Sequence, residues 1–303
     1  MPSDLKAEKQ HYVMLVALGL IWGSSFPLIK ISLETIDALS GVVARLVLAA
    51  VFMTLFTLSR GLRLPRDPAL WGKFSLLAMM GTLGPFVLIF WAQQYVDAAL
   101  ASILMGLVPL SSLVMAHLLT SDEKMSVPKL AGVLVGFAGV VVLIGPEALS
   151  GLGTNVIGQI AIALSAFSYG FNSVMARRTR VTDLNPFVST SGVLICSALL
   201  SLPLLFIGGT ELHTVSLRSG LAVTGLAVLG TCGAYILLYT LLRQVGAAFT
   251  SLNNYLVPLS GVGISVVFLG EQLNASALLA FCLIVGGIAI SRMRIGRKAV
   301  TTE

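Results

Sequence analysis

The sequence predicts an all-α membrane protein of ten transmembrane helices, arranged as two inverted five-helix repeats. Three observations carry this expectation: apolar stretches of spanning length follow one another almost without a break, charge is scarce and gathered at the joints, and the second half repeats the first. Of 303 residues, 56% are apolar and 11% charged, against about 25% charged in an ordinary soluble domain. A soluble fold of this length has no place to hide so much apolar surface.

A helix needs about 20 apolar residues to cross ~30 Å of hydrocarbon. Runs of that kind occupy residues 12–33, 38–58, 70–95, 99–119, 127–145, 155–176, 187–207, 217–241, 248–269 and 274–292. They are apolar all round, whereas the strands of a membrane barrel alternate in polarity, so helices are expected. The first run carries no A-x-A cleavage site and reads as a retained helix. Cys196, Cys232 and Cys282 stand singly inside apolar runs, without the spacing of a metal or redox motif.

Basic residues divide by side. With the N-terminus in the cytoplasm, 16 of the 19 Lys and Arg residues fall on cytoplasmic joints, and Glu34, Asp37, Asp97, Glu147, Glu211 and Glu271 fall outside. The positive-inside rule therefore expects both termini in the cytoplasm and explains the basic balance without nucleic acid. The joints are too short for a soluble ATPase or sensor domain, so energy is expected from a gradient or a partner.

The repeat is direct. At an offset of 149, residues 81–111 align with residues 230–260 without a gap, and 13 of the 31 positions are identical, including Gly81, Thr82 and Gly84 on Gly230, Thr231 and Gly233. Val-Pro-Leu-Ser recurs at 108–111 and 257–260, and Trp22-Gly23 aligns with Tyr169-Gly170 at an offset of 147. An odd number of spans per half makes the second half enter from the opposite side, the arrangement from which many secondary transporters derive alternating access.

The I-W-G-S-S-F of the first span, the arginine in the second, and the A-x-x-S-x-x-x-x-x-x-P-L helix of each half resemble the EamA family of the drug/metabolite transporter superfamily. The resemblance covers most of the chain, with repeats expected at 10–146 and 154–293. It implies export or exchange of small metabolites in a bacterial cytoplasmic membrane, with YddG-type amino-acid exporters among the relatives. Efflux of amphipathic drugs is the alternative it leaves open.

Candidate solute-contacting residues follow from polar and aromatic groups at membrane depth. Thr82, Phe86 and Phe90 share one helix face, and Thr231, Tyr235 and Tyr239 are their repeat mates. This face reads either as a cavity wall or as helix packing, with the threonines bonding back to their own helix. Asn253 and Asn254 stand opposite Met105 in the other half, one turn before Pro258 and Pro109; each proline frees a carbonyl by lacking its N–H. Trp22, Ser24 and Ser25 precede a third proline, Pro27, and Ser168, Tyr169 and Asn172 occupy the related turn of the sixth span. These three prolines are expected to kink or gate their helices. The competing reading of this region is close helix packing over Gly23 and Gly170.

Arg45 is the one cation well inside a span. Such a charge costs several kcal/mol unless paired or hydrated, so it is read either as an anchor, snorkelling outward or paired with Glu34 or Asp37, or as a contact for an anionic solute or a gate. Glycines at 132, 136, 139, 286 and 287 predict close approach of the fifth and tenth spans, within a monomer or across a homodimer. No carboxylate sits mid-span, so facilitated diffusion or exchange is favoured over strong proton coupling. His11, His117 and His213 lie near span ends, and no Ser–His or paired-Asp arrangement suggests an enzyme. No metal or cofactor is expected; the expected partners are a small-molecule solute and the lipid bilayer.

Overall fold

In the computed structural model, residues 8–120, 125–149, 153–207, 215–245, 249–250 and 252–292 are described, apart from the side chains of 144–149, Thr182, Tyr239, Leu242 and Arg243. Among the described residues the regular structure is entirely helical. In the first half run α1 (Lys9–Gly23), α2 (Ser25–Ser32), α3 (Ala38–Ser59), α4 (Pro68–Ala78), α5 (Gly84–Ala92), α6 (Ala98–Met105), α7 (Val108–Leu119) and α8 (Val127–Leu149). The second half holds α9 (Thr154–Arg178), α10 (Pro186–Ser201), α11 (Leu217–Ala227), α12 (Ala234–Gln244), α13 (Asn253–Leu269) and α14 (Ala275–Ser291). Each of the ten predicted runs is occupied by helix. Six of the helical stretches are long and apolar enough to cross a membrane, and Val127–Leu143, Asn253–Leu269 and Ala275–Ser291 are shorter apolar helices.

Side-chain acceptors set several helix starts. Asp37 accepts from the N–H groups of Leu39 and Ser40 at 3.1 and 3.0 Å, and Asn185 accepts from that of Phe187 at 3.0 Å. These cap the second helix of each half. Asp67 and Ser216 cap the third helix of each half in the same way. Backbone donors left over at a helix start are thus satisfied locally, before any packing.

Longer elements are interrupted where the sequence suggested continuous spans. The first breaks at Ser24, three residues before Pro27, and the fourth at Gly106–Leu107, just before Pro109. α13 instead continues through Pro258. Between α4 and α5 the chain widens into a π-helical segment, Met79–Leu83, and between α11 and α12 into another, Val228–Gly233. The 149-residue offset lays Met79 on Val228, so the widened turn is itself repeated. Gly84 and Gly233 stand at the ends of the two segments; a Cβ at Gly84 would press on the carbonyl of Met79, whereas one at Gly233 would only touch that of Val228. Such bulges within helices are frequent at functional sites.

α8 and α14 pack face to face. A Cβ at Gly132 or Gly287 would meet backbone of the opposite helix, and one at Gly139 would meet Ala280 O and Ile284 of α14. The glycine pattern is therefore used inside one chain, as a close helix contact. Gly286 takes no part; the space around it is open.

Candidate functional site between the halves

The two halves are joined by one contact made twice. Ser111 and Ser260 are the final residues of the repeated Val-Pro-Leu-Ser. Ser111 Oγ donates to the carbonyl of Ala166 at 2.8 Å, and Ser260 Oγ donates to that of Gly19 at 2.7 Å. Gly170 lies against Ser111, and Gly23 against Ser260. Each serine of one half thus seats on the first helix of the other, at positions related by the 147-residue offset. Interhelical bonds of this kind contribute about 0.6 kcal/mol each inside a membrane. They also place Trp22, Ser25, Tyr169 and Asn172, which sit on those same first helices, beside the π segments of the third.

At the first π segment, Asn172 presses on Gly81, and at the second, Ser25 lies over Gly230. Asn172 and Ser25 are repeat mates, as are the two glycines. Thr82 bonds back to Ala78 O at 2.8 Å and shares a hydrogen bond with the hydroxyl of Ser197 on α10. Thr231 donates to Leu226 O at 3.0 Å, and its oxygen accepts from Arg45 Nε of α3 at 3.3 Å. Each threonine therefore meets the second helix of the opposite half, once through a serine and once through an arginine.

Arg45 is 4% exposed. Its guanidinium lies 3.8 Å from the ring centroid of Phe86, a cation–π contact worth about 2 kcal/mol when desolvated. The phenols of Tyr169 and Tyr235 stand within electrostatic reach of it. Tyr235 also meets Trp22 edge to face, ring centroids 6.5 Å apart. The expected pairing of Arg45 with Glu34 or Asp37 is not made. Glu34 pairs with Arg218 at 3.3 Å, and Asp37 is engaged as the cap of α3. Both acids lie at the end of the bundle, whereas Arg45 reaches inward to α12 and its π segment.

A cavity of about 70 Å³ adjoins this group, lined by Gly81, Thr82, Asn172, Ser189, Thr190 and Tyr235 among others. Asn172 Oδ1 and Thr190 Oγ1 are buried there without a hydrogen-bond partner. Sequence reasoning brought Thr82, Asn172 and Tyr235 to this region but missed Ser189, Thr190 and Ser197. The signal was present: a hydroxyl every few residues through an otherwise apolar seventh span.

Other predicted residues fall elsewhere. Phe90 is fully buried and fills the space over Gly41 of α3, so it is packing. Asn253 is 3% exposed, with Oδ1 unpaired and facing Gly19. Asn254 is half-buried beside it. Met105 accepts a weak bond from Ser165 at 3.4 Å and packs against two core clusters. The side chain of Tyr239 lies outside the described residues. Glu271, expected on the outer side, accepts from the N–H groups of Ala98 and Ala99 at 2.9 and 2.8 Å and caps α6.

Comparison with known families decides the class. The model of the EamA-like transporter family matches residues 10–145 and 156–293, one stretch in each half. The chain belongs to the EamA-like transporter family. It is a multi-pass membrane protein of that family, as the sequence motifs suggested. It is 27% identical over 277 residues to the uncharacterized inner membrane transporter YedA of Escherichia coli K12, covering 91% of this chain and 88% of YedA. It is 23% identical to the uncharacterized transporter YoaV of Bacillus subtilis strain 168, covering 94% of this chain and 98% of YoaV. A probable terminal-alkyne amino-acid exporter of Streptantibioticus cattleyicolor is 24% identical, with 94% of each chain covered. One solved structure superposes with a TM-score of 0.67 at 23% identity over 94% of this chain and 97% of that one. At that identity it supports the fold alone.

Proposed function

We propose that this EamA-family protein is a secondary transporter that exports small metabolites, foremost amino acids, by alternating access through the space between its two halves. The observation that carries this reading is the doubled seam. Ser111 on Ala166 and Ser260 on Gly19 are the same contact in opposite halves, and the two π segments flank it symmetrically. Two halves built alike can exchange packings at small cost, which is what an inverted repeat contributes to a carrier. The reading takes all ten helical stretches as spans, with both termini in the cytoplasm. Packing of α8 on α14 within one chain supports a monomeric carrier.

The likeness to an amino-acid exporter supports the solute class, as does a cavity edged by amide, hydroxyl and phenol groups. Efflux of amphipathic compounds is the second reading, favoured by the aromatic set of Trp22, Phe86, Tyr169 and Tyr235. Counterflow in proteoliposomes separates the two. Vesicles preloaded with unlabelled amino acids, with no ion gradient, are expected to accumulate labelled amino acid transiently and saturably. Accumulation of cationic amphiphiles in place of amino acids would transfer the assignment to drug efflux.

A further inference from the structure

We propose that Arg45 is the binding site for an anionic group on the solute, so that what this protein carries bears a carboxylate. The proposal rests on the carrier reading above and names the chemistry of its cargo.

A guanidinium has five N–H donors in a planar fork. In Arg45 one is used, Nε to Thr231, and one face is covered by Phe86. Among the described residues no carboxylate and no further acceptor is paired with the two terminal nitrogens. The described acids nearest in sequence, Glu34 and Asp37, are engaged elsewhere, and Glu271 is held by α6. A buried charge inside a membrane protein faces the bundle interior and finds a partner, or marks a solute path. Among the described residues the fork is held through Nε and Phe86, and no carboxylate meets its terminal edge. A bidentate pair with a carboxylate is the strongest contact that edge makes.

The surroundings suit the same cargo. The phenols of Tyr169 and Tyr235 stand within electrostatic reach of the guanidinium, and Tyr235 also lines the cavity, so one side chain links the cation to that space. Asn172 and Thr190 also line that space, and their Oδ1 and Oγ1 are buried without a hydrogen-bond partner. Unpaired oxygens and a nearby guanidinium together match an ammonium and a carboxylate. A single cation suits a monoanion better than a phosphate dianion, which calls for more positive charge. Cationic amphiphiles without an acid group are disfavoured by like charge.

The test is competition in counterflow, using a mixture of amino acids, the matching amino-acid amides, and the matching decarboxylated amines. In the unmodified protein the acids are expected to compete at least tenfold better than amides or amines. Arg45→Gln is expected to abolish that preference, and Arg45→Lys to retain part of it. Equal competition by acids, amides and amines in the unmodified protein would overturn the proposal, and this arm needs no variant to fold. So would a folded Arg45→Gln protein that keeps the preference. If amino acids fail while benzoate or lactate exchanges in an Arg45-dependent way, the amino-acid reading falls and the anion site stands. If only amines exchange, both fall.

Discussion

The two π segments are the same device set to different uses. Each has a glycine at its C-terminal end, Gly84 just after the first and Gly233 closing the second, carries a Gly-Thr pair, and is covered by a side chain from the first span of the other half. Around Thr82 the partner from the opposite half is a serine, and the contact is neutral and closed. Around Thr231 the partner is Arg45, and the contact leaves charge unspent. The difference teaches that the two segments share one framework, set by the repeat, and differ in the group that meets the threonine: a hydroxyl at Thr82 and a guanidinium at Thr231.

The largest expected effect comes from breaking the symmetry at the seam. Gly23→Leu or Gly170→Leu forces a side chain into Ser260 or Ser111, and overpacking of this kind costs about 1–3 kcal/mol or more. Loss of monodisperse protein in detergent, seen by size-exclusion chromatography, is the expected result for both. Equal damage at the two sites sharpens the claim that they are one contact used twice.

Next in size is Thr231→Val, which leaves the buried Nε of Arg45 without its acceptor. An unsatisfied buried polar group costs about 1–3 kcal/mol, so thermal stability should fall by several degrees. Thr82→Val should do much less, about 0.6 kcal/mol or under, because Ser197 keeps a second acceptor in Val193 O at 2.7 Å. Similar losses in the two variants would erase the proposed asymmetry. Smallest is Glu34→Gln. The Arg218–Glu34 pair is 63% and 43% exposed, and such pairs contribute about 0–1 kcal/mol, so no measurable change in melting temperature is expected.

Much of this architecture was legible in the sequence. Apolar runs marked every helical stretch, and Gly132, Gly136, Gly139 and Gly287 announced the α8–α14 contact. Helix interruptions were less visible. Pro27 and Pro109 flagged two of them, but the first π segment is supported from outside its own helix, where Ser168 donates to Met80 O at 2.7 Å. No local periodicity encodes that. The site was legible in half. Thr82, Tyr235 and Arg45 stood out as polar or aromatic groups at depth, yet Ser197, Trp22 and Thr231, which they respectively meet, lie more than a hundred residues away. The repeated Ser111 and Ser260 were read as repeat markers and not as the bonds that join the halves. Pairing of Arg45 with Glu34 or Asp37 was one of the readings left open, and packing instead turns it inward onto Thr231 and Phe86.

The central claim, that the halves open in alternation, is tested most directly by accessibility from each side. In a background with Cys196, Cys232 and Cys282 replaced, Ser25→Cys and Asn172→Cys would be labelled with a membrane-impermeant maleimide from outside or from the cytoplasmic side. The account predicts that Ser25→Cys reacts from outside and Asn172→Cys from the cytoplasm, and that saturating solute shifts the two rates in opposite directions. Rates that rise and fall together, or simultaneous labelling of both positions from one side, would contradict alternating access and describe a pore.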